Sequence, residues 1–176
     1  GAGEDIGFDL LIQSKYNCWI YIIDPTTRAI NHFNQLKEYY NSNFLEDKKP
    51  EVMGDKTDDK RIAEYTNLIK SINPKPNFDK IKFLDVGLWN SNTILRFFKR
   101  SSGNGVSQTF IKDLYINKTN PNNFDIVNVK TIDTIMKEEN HTLNNLKLLK
   151  LDIEGAEVTV LPYLIEKKIF PKYLLV

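Results

Sequence analysis

Short apolar, β-favouring runs alternate with helically periodic segments along most of this chain, and this alternation constrains the fold more than any other feature. The runs at 18–23, 81–84 and 146–151 are apolar at most positions. Strands that are apolar on both faces are typical of buried parallel sheets, and parallel strands need long crossover connections such as helices. The pattern therefore predicts an α/β fold with a mostly parallel sheet and helices on both of its faces.

The spacing of apolar residues and the positions of turn-forming residues divide the chain into elements. We predict helices near 5–17, 25–41, 61–72, 131–138 and 155–168. We predict strands near 18–24, 81–89, 93–100, 124–130, 146–151 and 173–176. Pro25 suits the first turn of the second helix, and the polar stretches 41–60 and 101–108 are expected to be loops. Because no repeat or flexible linker divides the chain, we expect a single domain over residues 1–176.

Both ends of the sequence resemble the interior of a fold. A glycine turn such as the one at Gly1 and Gly3 normally follows a strand, and residues 173–176 resemble a strand that is cut short. We therefore expect the first strand and the C-terminal strands of the domain to lie outside this sequence. No expectation about localisation follows from such a fragment.

Charge and residue usage argue against several classes of protein. The net charge is +1, whereas a nucleic-acid-binding surface normally shows a basic excess. The longest apolar runs are too short to cross a bilayer, so we expect no membrane segment in this fragment. The single cysteine, Cys18, excludes an internal disulfide and is expected to be a buried small hydrophobe. His32 and His141 lie far apart in the sequence, which argues against a zinc site or a Ser-His-Asp site. Both lie on polar stretches, so their side chains are expected to be exposed to solvent.

Three sequence features fall where predicted strands end, which is where open α/β sheets bind their ligands. Gly1 and Gly3 form a turn that lets backbone approach a ligand closely. Asp24 ends the 18–24 strand, where a carboxylate can accept hydrogen bonds from ribose hydroxyls. Asp152 directly follows the 146–151 strand. Together these features predict a site for a nucleoside-bearing cofactor.

The residues around the glycine turn favour one such cofactor over another. The dinucleotide fingerprint G-x-G-x-x-G has Ile6 at its third glycine position here, which argues against NAD. Glu4 and Asp5 would repel a pyrophosphate, whereas they would tolerate the ammonium and sulfonium of S-adenosylmethionine.

Structural roles remain open beside these functional ones. Asp24 is also placed to cap the helix that follows it. Glu154 and Glu157 stand at a predicted helix start, where acidic side chains favour the helix dipole. Lys150 and Asp152 alternate along a strand and are therefore expected on one face, either as a plain ion pair or as a catalytic pair.

Five motifs resemble the FkbM-type S-adenosylmethionine-dependent methyltransferases and related methyltransferase-like proteins. The segment KLLKLDIEGAEVTVL (147–161) is similar to their K-x-D-x-E-G-x-E signature. GAGEDIGFD (1–9) resembles their G-x-G-E-D-I-S-F-D opening, with Gly7 at the serine position. YIIDPT (21–26), VGLWNSNTILRFF (86–98) and VKTIDTIMKE (129–138) resemble the motifs between them, in the same order.

The resemblance implies a Rossmann-like class I methyltransferase fold, with seven strands in the full domain, and methyl transfer from S-adenosylmethionine, commonly to oxygen, with sugars among the acceptors of relatives. It implies that the glycine turn holds the methionine end of the cofactor, that the turn after the second strand binds the ribose, and that the turn after the third lies near the adenine. The residues in these three groups are Gly1, Gly3, Glu4 and Asp5; Asp24, Pro25 and Thr26; and Gly87 and Leu88.

The resemblance also implies that Asp152 faces the reacting centre. Our hypothesis is that Asp152, with Glu154 or Lys150, accepts the proton of a hydroxyl acceptor or orients that acceptor. A divalent metal ion on Asp152 would serve the same end by lowering the acceptor pKa, so metal dependence stays open. The acceptor is expected to be a small molecule or a glycan. An NAD(P)-dependent oxidoreductase and a non-catalytic methyltransferase-like scaffold remain the alternatives.

Overall fold

The structure is a computed structural model that describes residues 1–3, 5–42, 59–100, 108–110 and 119–176. The chain divides into two compact units, which we call the N-terminal unit (Ala2–Asp85) and the C-terminal unit (Val86–Val176 together with Gly1). The single domain expected over residues 1–176 stays a prediction. Within the described ranges, no helix is both long and apolar enough to cross a membrane.

Three helices and two parallel strands form the described part of the N-terminal unit. The helices are α1 (Gly7–Tyr16), α2 (Thr27–Asn41) and α3 (Asp59–Ser71), and the strands are β1 (Ile20–Ile23) and β2 (Ile81–Leu84). The register of the strands runs from Ile20 opposite Ile81 to Ile23 opposite Leu84. All five elements overlap predicted ones, although β2 covers only the first part of the strand predicted over 81–89. The loop expected at 41–60 falls mostly on 43–58, outside the described residues.

The start of α2 differs from the prediction. Thr26 has an extended backbone, and its Oγ1 accepts a hydrogen bond from the N–H of Ala29 at 3.3 Å. Thr26 is therefore the N-cap, and Pro25 precedes the helix rather than lying in its first turn. A hydroxyl that satisfies an otherwise unpaired N–H of the first turn explains why the helix begins after Thr26.

One hydrophobic core joins the helices of the N-terminal unit to β1 and β2. Its buried members are Ile6, Leu10, Ile22, Phe33, Leu36, Tyr65, Ile69, Ile72, Phe78 and Ile81. His32 is also completely buried, so its predicted exposure to solvent is wrong. The helical period places His32 on the same face of α2 as Ala29 and Leu36, whereas its polar sequence neighbours Asn31 and Asn34 are exposed. Cys18 and His141 are only half-buried, which differs from both of their predicted environments.

The C-terminal unit holds six strands and two helices among its described residues. In chain order these are β3 (Gly87–Leu88), β4 (Thr93–Arg100), β5 (Gln108–Thr109), β6 (Thr119–Lys130), α4 (Ile132–Glu138), β7 (Leu148–Lys150), α5 (Glu157–Glu166) and β8 (Tyr173–Leu175). Four strands form one sheet in the order β3-β6-β4-β5, and β7 and β8 form a second, parallel pair. The loop expected at 101–108 lies outside the described residues except for Gln108, which begins β5.

The prediction of a mostly parallel sheet is wrong, because the four-stranded sheet is mixed. Strand β6 runs parallel to β3 and antiparallel to β4, and β4 is also antiparallel to β5. The connection between β3 and β4 has only the four residues 89–92, too few for a parallel crossover. Trp89 N donates to the carbonyl of Lys130 at 2.9 Å, and Asn92 Oδ1 accepts from Thr131 N at 2.9 Å. The connection therefore passes around the end of β6. As a result β3 and β4 lie on opposite sides of β6 and run in opposite directions.

The strand predicted over 81–89 is two strands in different sheets. Strand β2 ends at Leu84 and β3 begins at Gly87, and the division between the two compact units falls between Asp85 and Val86. The two residues between the strands interrupt the ladder. A continuous apolar pattern shows that backbone is extended, but not which partner each part pairs with.

Candidate functional site

Asp24 directly follows β1 and has a carboxylate whose acceptor positions are all in use. The residue is 5% exposed. Its Oδ2 accepts from the backbone N–H groups of Ala2 at 2.7 Å and Gly3 at 3.1 Å. Its Oδ1 accepts from Thr26 N at 2.8 Å and from Thr26 Oγ1 at 2.6 Å. Asp24 thus joins the glycine turn to Thr26. The N-cap of α2 is Thr26 and not Asp24, so the capping role left open for Asp24 is wrong, and its ribose-binding role stays a prediction.

The glycine turn has the conformation and the open space that a close ligand approach requires. Gly3 has φ +52, a left-handed conformation that favours glycine, and among the described residues other than its chain neighbours no atom lies within 4 Å of where a Cβ would stand. Asp5 is exposed, and its Oδ1 accepts from the N–H of Gly7 at 3.1 Å, near the start of α1. Glu4, predicted to bind the methionine end of a cofactor, lies outside the described residues.

Gly87 and Leu88, predicted near an adenine, are both buried in β3. A Cβ on Gly87 would stand 2.7 Å from Phe110 Cζ and 2.9 Å from Val129 Cγ1. Packing against these two side chains therefore requires glycine at this position. This steric reason accounts for Gly87 without a ligand, and the adenine assignment stays a prediction.

Asp152 presents an exposed carboxylate just after β7. Its side chain is 71% exposed, and its Oδ2 lies 3.5 Å from Lys150 Nζ. The predicted placement of the two side chains on one face of the strand is confirmed. An exposed pair at this distance contributes only about 0–1 kcal/mol to stability. Both side chains are therefore accessible to a ligand at little energetic cost. The backbone carbonyl of Asp152 accepts a hydrogen bond from Gly1 N at 2.7 Å.

The turn between Asp152 and α5 is held by the carboxylate of Glu157. Glu157 Oε1 accepts from Ile153 N at 2.6 Å, and Oε2 accepts from Gly155 N at 2.7 Å. Between these two amides, Glu154 adopts φ +54, which costs a non-glycine residue about 1–2 kcal/mol. Glu157 offsets that cost and positions the turn that carries Asp152 and Glu154.

A second tether of this turn was not predicted. The buried Thr109 of β5 donates its hydroxyl to the carbonyl of Glu154 at 2.8 Å. Thr109 and Glu154 are 45 residues apart, and nothing local in the sequence around Thr109 marks the contact. The turn after β7 is therefore supported from its own helix and from a separate strand.

A buried polar pair lies beside the start of α1. His32 Nε2 is 2.9 Å from the hydroxyl of Tyr65, which accepts a hydrogen bond from Ile6 N at 3.2 Å. Burial lowers the pKa of His32 from 6.5 to about 4, although the charge of Asp5 acts in the opposite direction. Burial also raises the pKa of Tyr65. The pair is therefore neutral at pH 7 and connects α2, α3 and the residue that follows the glycine turn.

The structure brings together two sets of the predicted site residues, one in each compact unit. Asp24, Thr26 and Gly3 come together in the N-terminal unit, and Lys150, Asp152 and Glu154 lie together after β7 in the C-terminal unit. Among the described residues, no cluster of three or more His, Cys, Asp and Glu side chains is arranged to hold a metal ion.

A comparison with protein families decides the relationship. The model of the methyltransferase FkbM domain matches residues 12–172, which is nearly the whole chain. The chain belongs to the FkbM methyltransferase family. Searches of curated proteins and of solved structures returned no significant match.

Membership in the FkbM family confirms the resemblance inferred from the motifs. It supports methyltransferase activity in general, and with it a place among the transferases that carry out methylation. The family also favours a Rossmann-like α/β domain, with the mixed sheet of the C-terminal unit as a departure from the expected parallel arrangement.

Proposed function

We propose that this protein transfers a methyl group from S-adenosylmethionine to a hydroxyl oxygen of a sugar or another small molecule. The observation that carries the proposal is the exposed Asp152 carboxylate, standing on a tethered turn within the motif that defines the family resemblance. S-adenosylmethionine supplies a methyl group on a cationic sulfonium.

The glycine turn fits the methionine end of such a cofactor. The described part of the chain leaves the space beside Gly3 open, and the left-handed backbone at this residue exposes main chain to an approaching ligand. The exposed carboxylate of Asp5 offers a partner for an ammonium group. Gly3 and Asp5 are therefore the described residues proposed to bind this end, and Gly1 and Glu4 are proposed with them from the sequence alone.

Asp152 has the chemistry to prepare a hydroxyl acceptor. An alcohol must lose its proton as its oxygen attacks, and a carboxylate within hydrogen-bond reach can take that proton. The ammonium of Lys150 lies 3.5 Å from Asp152 Oδ2 and is proposed to orient this carboxylate toward the acceptor. Glu154 occupies the adjoining turn and is proposed to help orient the acceptor. Alignment of the acceptor oxygen with the methyl group is the remaining requirement of the reaction.

Calorimetric titration with S-adenosylmethionine and S-adenosylhomocysteine, with NAD as the control ligand, tests the choice of cofactor. We expect micromolar binding of the first two ligands and none of NAD. Binding of NAD in their place would support an oxidoreductase. A folded protein that binds none of the three would support the non-catalytic scaffold instead.

The substitution Asp152→Asn tests the assignment of the proton acceptor. We expect methyl transfer to a panel of sugars and small alcohols, followed as release of S-adenosylhomocysteine, to fall by about 10²–10⁴-fold, the usual contribution of general acid–base catalysis. Cofactor affinity should stay within about threefold of wild type, because the side chain is assigned to the acceptor. Asp125→Asn, which alters a surface ion pair with Lys99, is the matched control. Full turnover in the Asp152→Asn protein would contradict the assignment.

A further inference from the structure

The carboxylate of Asp24 has no acceptor position left for a ligand. A carboxylate offers about four lone-pair positions for hydrogen bonds. Ala2 N, Gly3 N and the backbone N–H and hydroxyl of Thr26 provide four donors, at 2.6 to 3.1 Å. The residue is also 5% exposed, so solvent does not compete for these positions.

A ribose hydroxyl that bound this carboxylate would have to displace one of these donors. The donors include the two backbone amides of the glycine turn, and an amide that loses its partner in a partly buried position is destabilised. A direct contact with the ribose would therefore loosen the same turn that is proposed to hold the methionine end of the cofactor. The two roles compete for the same oxygens.

We propose that Asp24 is a positioning residue, which acts on the cofactor through the glycine turn and not through the ribose hydroxyls. By bonding Ala2 N and Gly3 N with one oxygen, it holds the turn in the left-handed conformation seen at Gly3. By bonding Thr26 with the other, it ties that turn to the N-cap of α2. This inference rests on the proposed use of S-adenosylmethionine.

Asp24→Asn is the informative substitution, because the asparagine side chain keeps the size but has one acceptor oxygen and a donor NH₂ group. The NH₂ group of the asparagine would face either the two N–H groups of the turn or the two donors of Thr26. The two hydrogen bonds on that side would be lost. Asp79→Asn makes the same chemical change at an exposed aspartate of the N-terminal unit and is the control. The full chain is used throughout.

Measurements that combine a substitution in the protein with removal of a ribose hydroxyl from the ligand separate a positioning role of Asp24 from a direct ribose contact. Dissociation constants are measured by calorimetry for S-adenosylhomocysteine and for its 2′-deoxy and 3′-deoxy analogues, with the wild type, Asp24→Asn and Asp79→Asn. We expect Asp24→Asn to weaken binding of all three ligands by the same factor, about tenfold or more, which corresponds to a loss of ~1.4 kcal/mol or more of binding free energy. A direct ribose contact would give a different result: removal of a hydroxyl would weaken binding to the wild type and not to Asp24→Asn. That outcome, or an unchanged affinity for all three ligands in Asp24→Asn, would overturn the proposal.

Hydrogen exchange at the Ala2 and Gly3 amides tests the turn without any ligand. We expect both amides to be protected in the wild type and in Asp79→Asn. In Asp24→Asn we expect either these two amides or the Thr26 amide, whichever side the asparagine NH₂ group faces, to exchange at least about tenfold faster. If Asp24→Asn does not fold, the wild-type measurement still decides, because unprotected amides would contradict the hydrogen bonds to Asp24. If the wild type binds no S-adenosylhomocysteine, the proposed function fails, whereas the exchange data still show whether Asp24 holds the turn.

Discussion

The buried imidazole of His32 makes the stability of the N-terminal unit depend on pH. The ring is completely buried against Tyr65, and its pKa is lowered from 6.5 to about 4 by burial. Below pH 6.5 the unfolded chain takes up a proton at this histidine, whereas the folded chain does so only near pH 4. The stabilising effect of neutral His32 is therefore fully present above pH 6.5 and is lost progressively as the pH falls toward 4.

We predict that the free energy of unfolding falls by roughly 3 kcal/mol between pH 7 and pH 4 because of His32 alone. Urea unfolding at a series of pH values measures this, and the slope should flatten in His32→Gln. His141→Gln changes the other histidine and is the control, since His141 is half-buried and lies in the other unit. An identical slope in the wild type and in His32→Gln would show that other groups produce the pH dependence.

Gly87 is a residue whose identity is set by its neighbours. An added methyl group would lie 2.7 Å from Phe110 and 2.9 Å from Val129, too close for carbon atoms in contact. We predict that Gly87→Ala lowers the free energy of unfolding by about 1–3 kcal/mol. Urea unfolding measures the loss. Ser91→Ala, on the exposed turn before β4, should stay within about 0.5 kcal/mol of wild type.

A second substitution tests the cause of that loss. Phe110→Leu makes room beside Gly87, so we expect it to recover part of the stability when combined with Gly87→Ala. The effects of substitutions at contacting residues are expected not to be additive. If the losses in the free energy of unfolding of the two single variants simply add in the double variant, the contact with Phe110 is not the cause of the loss in Gly87→Ala.

At the scale of an element, the turn from β7 to α5 depends on side chains outside it. Glu157 accepts from both Ile153 N and Gly155 N, and Thr109 donates to the carbonyl between those amides. Glutamine at 157 offers one acceptor and one donor group, so one of the two amides loses its partner. Valine at 109 keeps the shape of threonine but loses the hydroxyl.

We predict that Glu157→Gln destabilises the turn by about 1–3 kcal/mol, the usual cost of an unsatisfied buried donor. Hydrogen exchange at Ile153 and Gly155 should become faster in this variant. It should stay unchanged in Glu166→Gln, which alters an exposed glutamate at the other end of α5. Thr109→Val should accelerate exchange as well, whereas Thr109→Ser keeps the hydroxyl and should behave like the wild type. Unchanged exchange in Glu157→Gln would show that the turn is stable without its cap.

Local patterns predicted the elements well, because helix periods and caps are encoded over a few residues. Thr131 caps α4 through Thr134 N, and the predicted helix does begin there. Strand partners are not local. The sequence of β4 shows an extended segment but does not reveal that it pairs antiparallel with β6, and the same limit hid the break between β2 and β3.

The candidate site shows the same division between local and distant information. The alternation of Lys150 and Asp152 along a strand predicted that they share a face, and they do. The burial of His32 depends on Tyr65, 33 residues away, and the tether at Glu154 depends on Thr109, 45 residues away. Asp24 was predicted to be a site residue. The four donors that bond its carboxylate come from two separate segments, so the sequence could not show that the acceptor positions are occupied.

At the scale of the whole molecule, the proposed cofactor should stabilise the folded chain through mass action. A ligand at 100 times its dissociation constant adds about 2.7 kcal/mol to the free energy of unfolding. For a chain of this length, we predict that the melting temperature rises by roughly 5–10 °C with S-adenosylhomocysteine. Differential scanning fluorimetry measures this shift. NAD at the same concentration should leave the melting temperature unchanged, and an equal shift with both ligands would contradict the proposed selectivity.

The path of the chain around the end of β6 has a consequence for biosynthesis. Both β3 and β4 pair with β6, which is made after them. On a ribosome that adds about 5–20 residues per second, the 30 residues between Arg100 and Lys130 take roughly 2–6 s. During that interval the nascent chain carries β3 without its partner and the apolar side chains of β4, such as Phe97, without the cover of Val127. A chaperone that binds extended apolar segments has a target in β4 during those seconds, before the sheet can close.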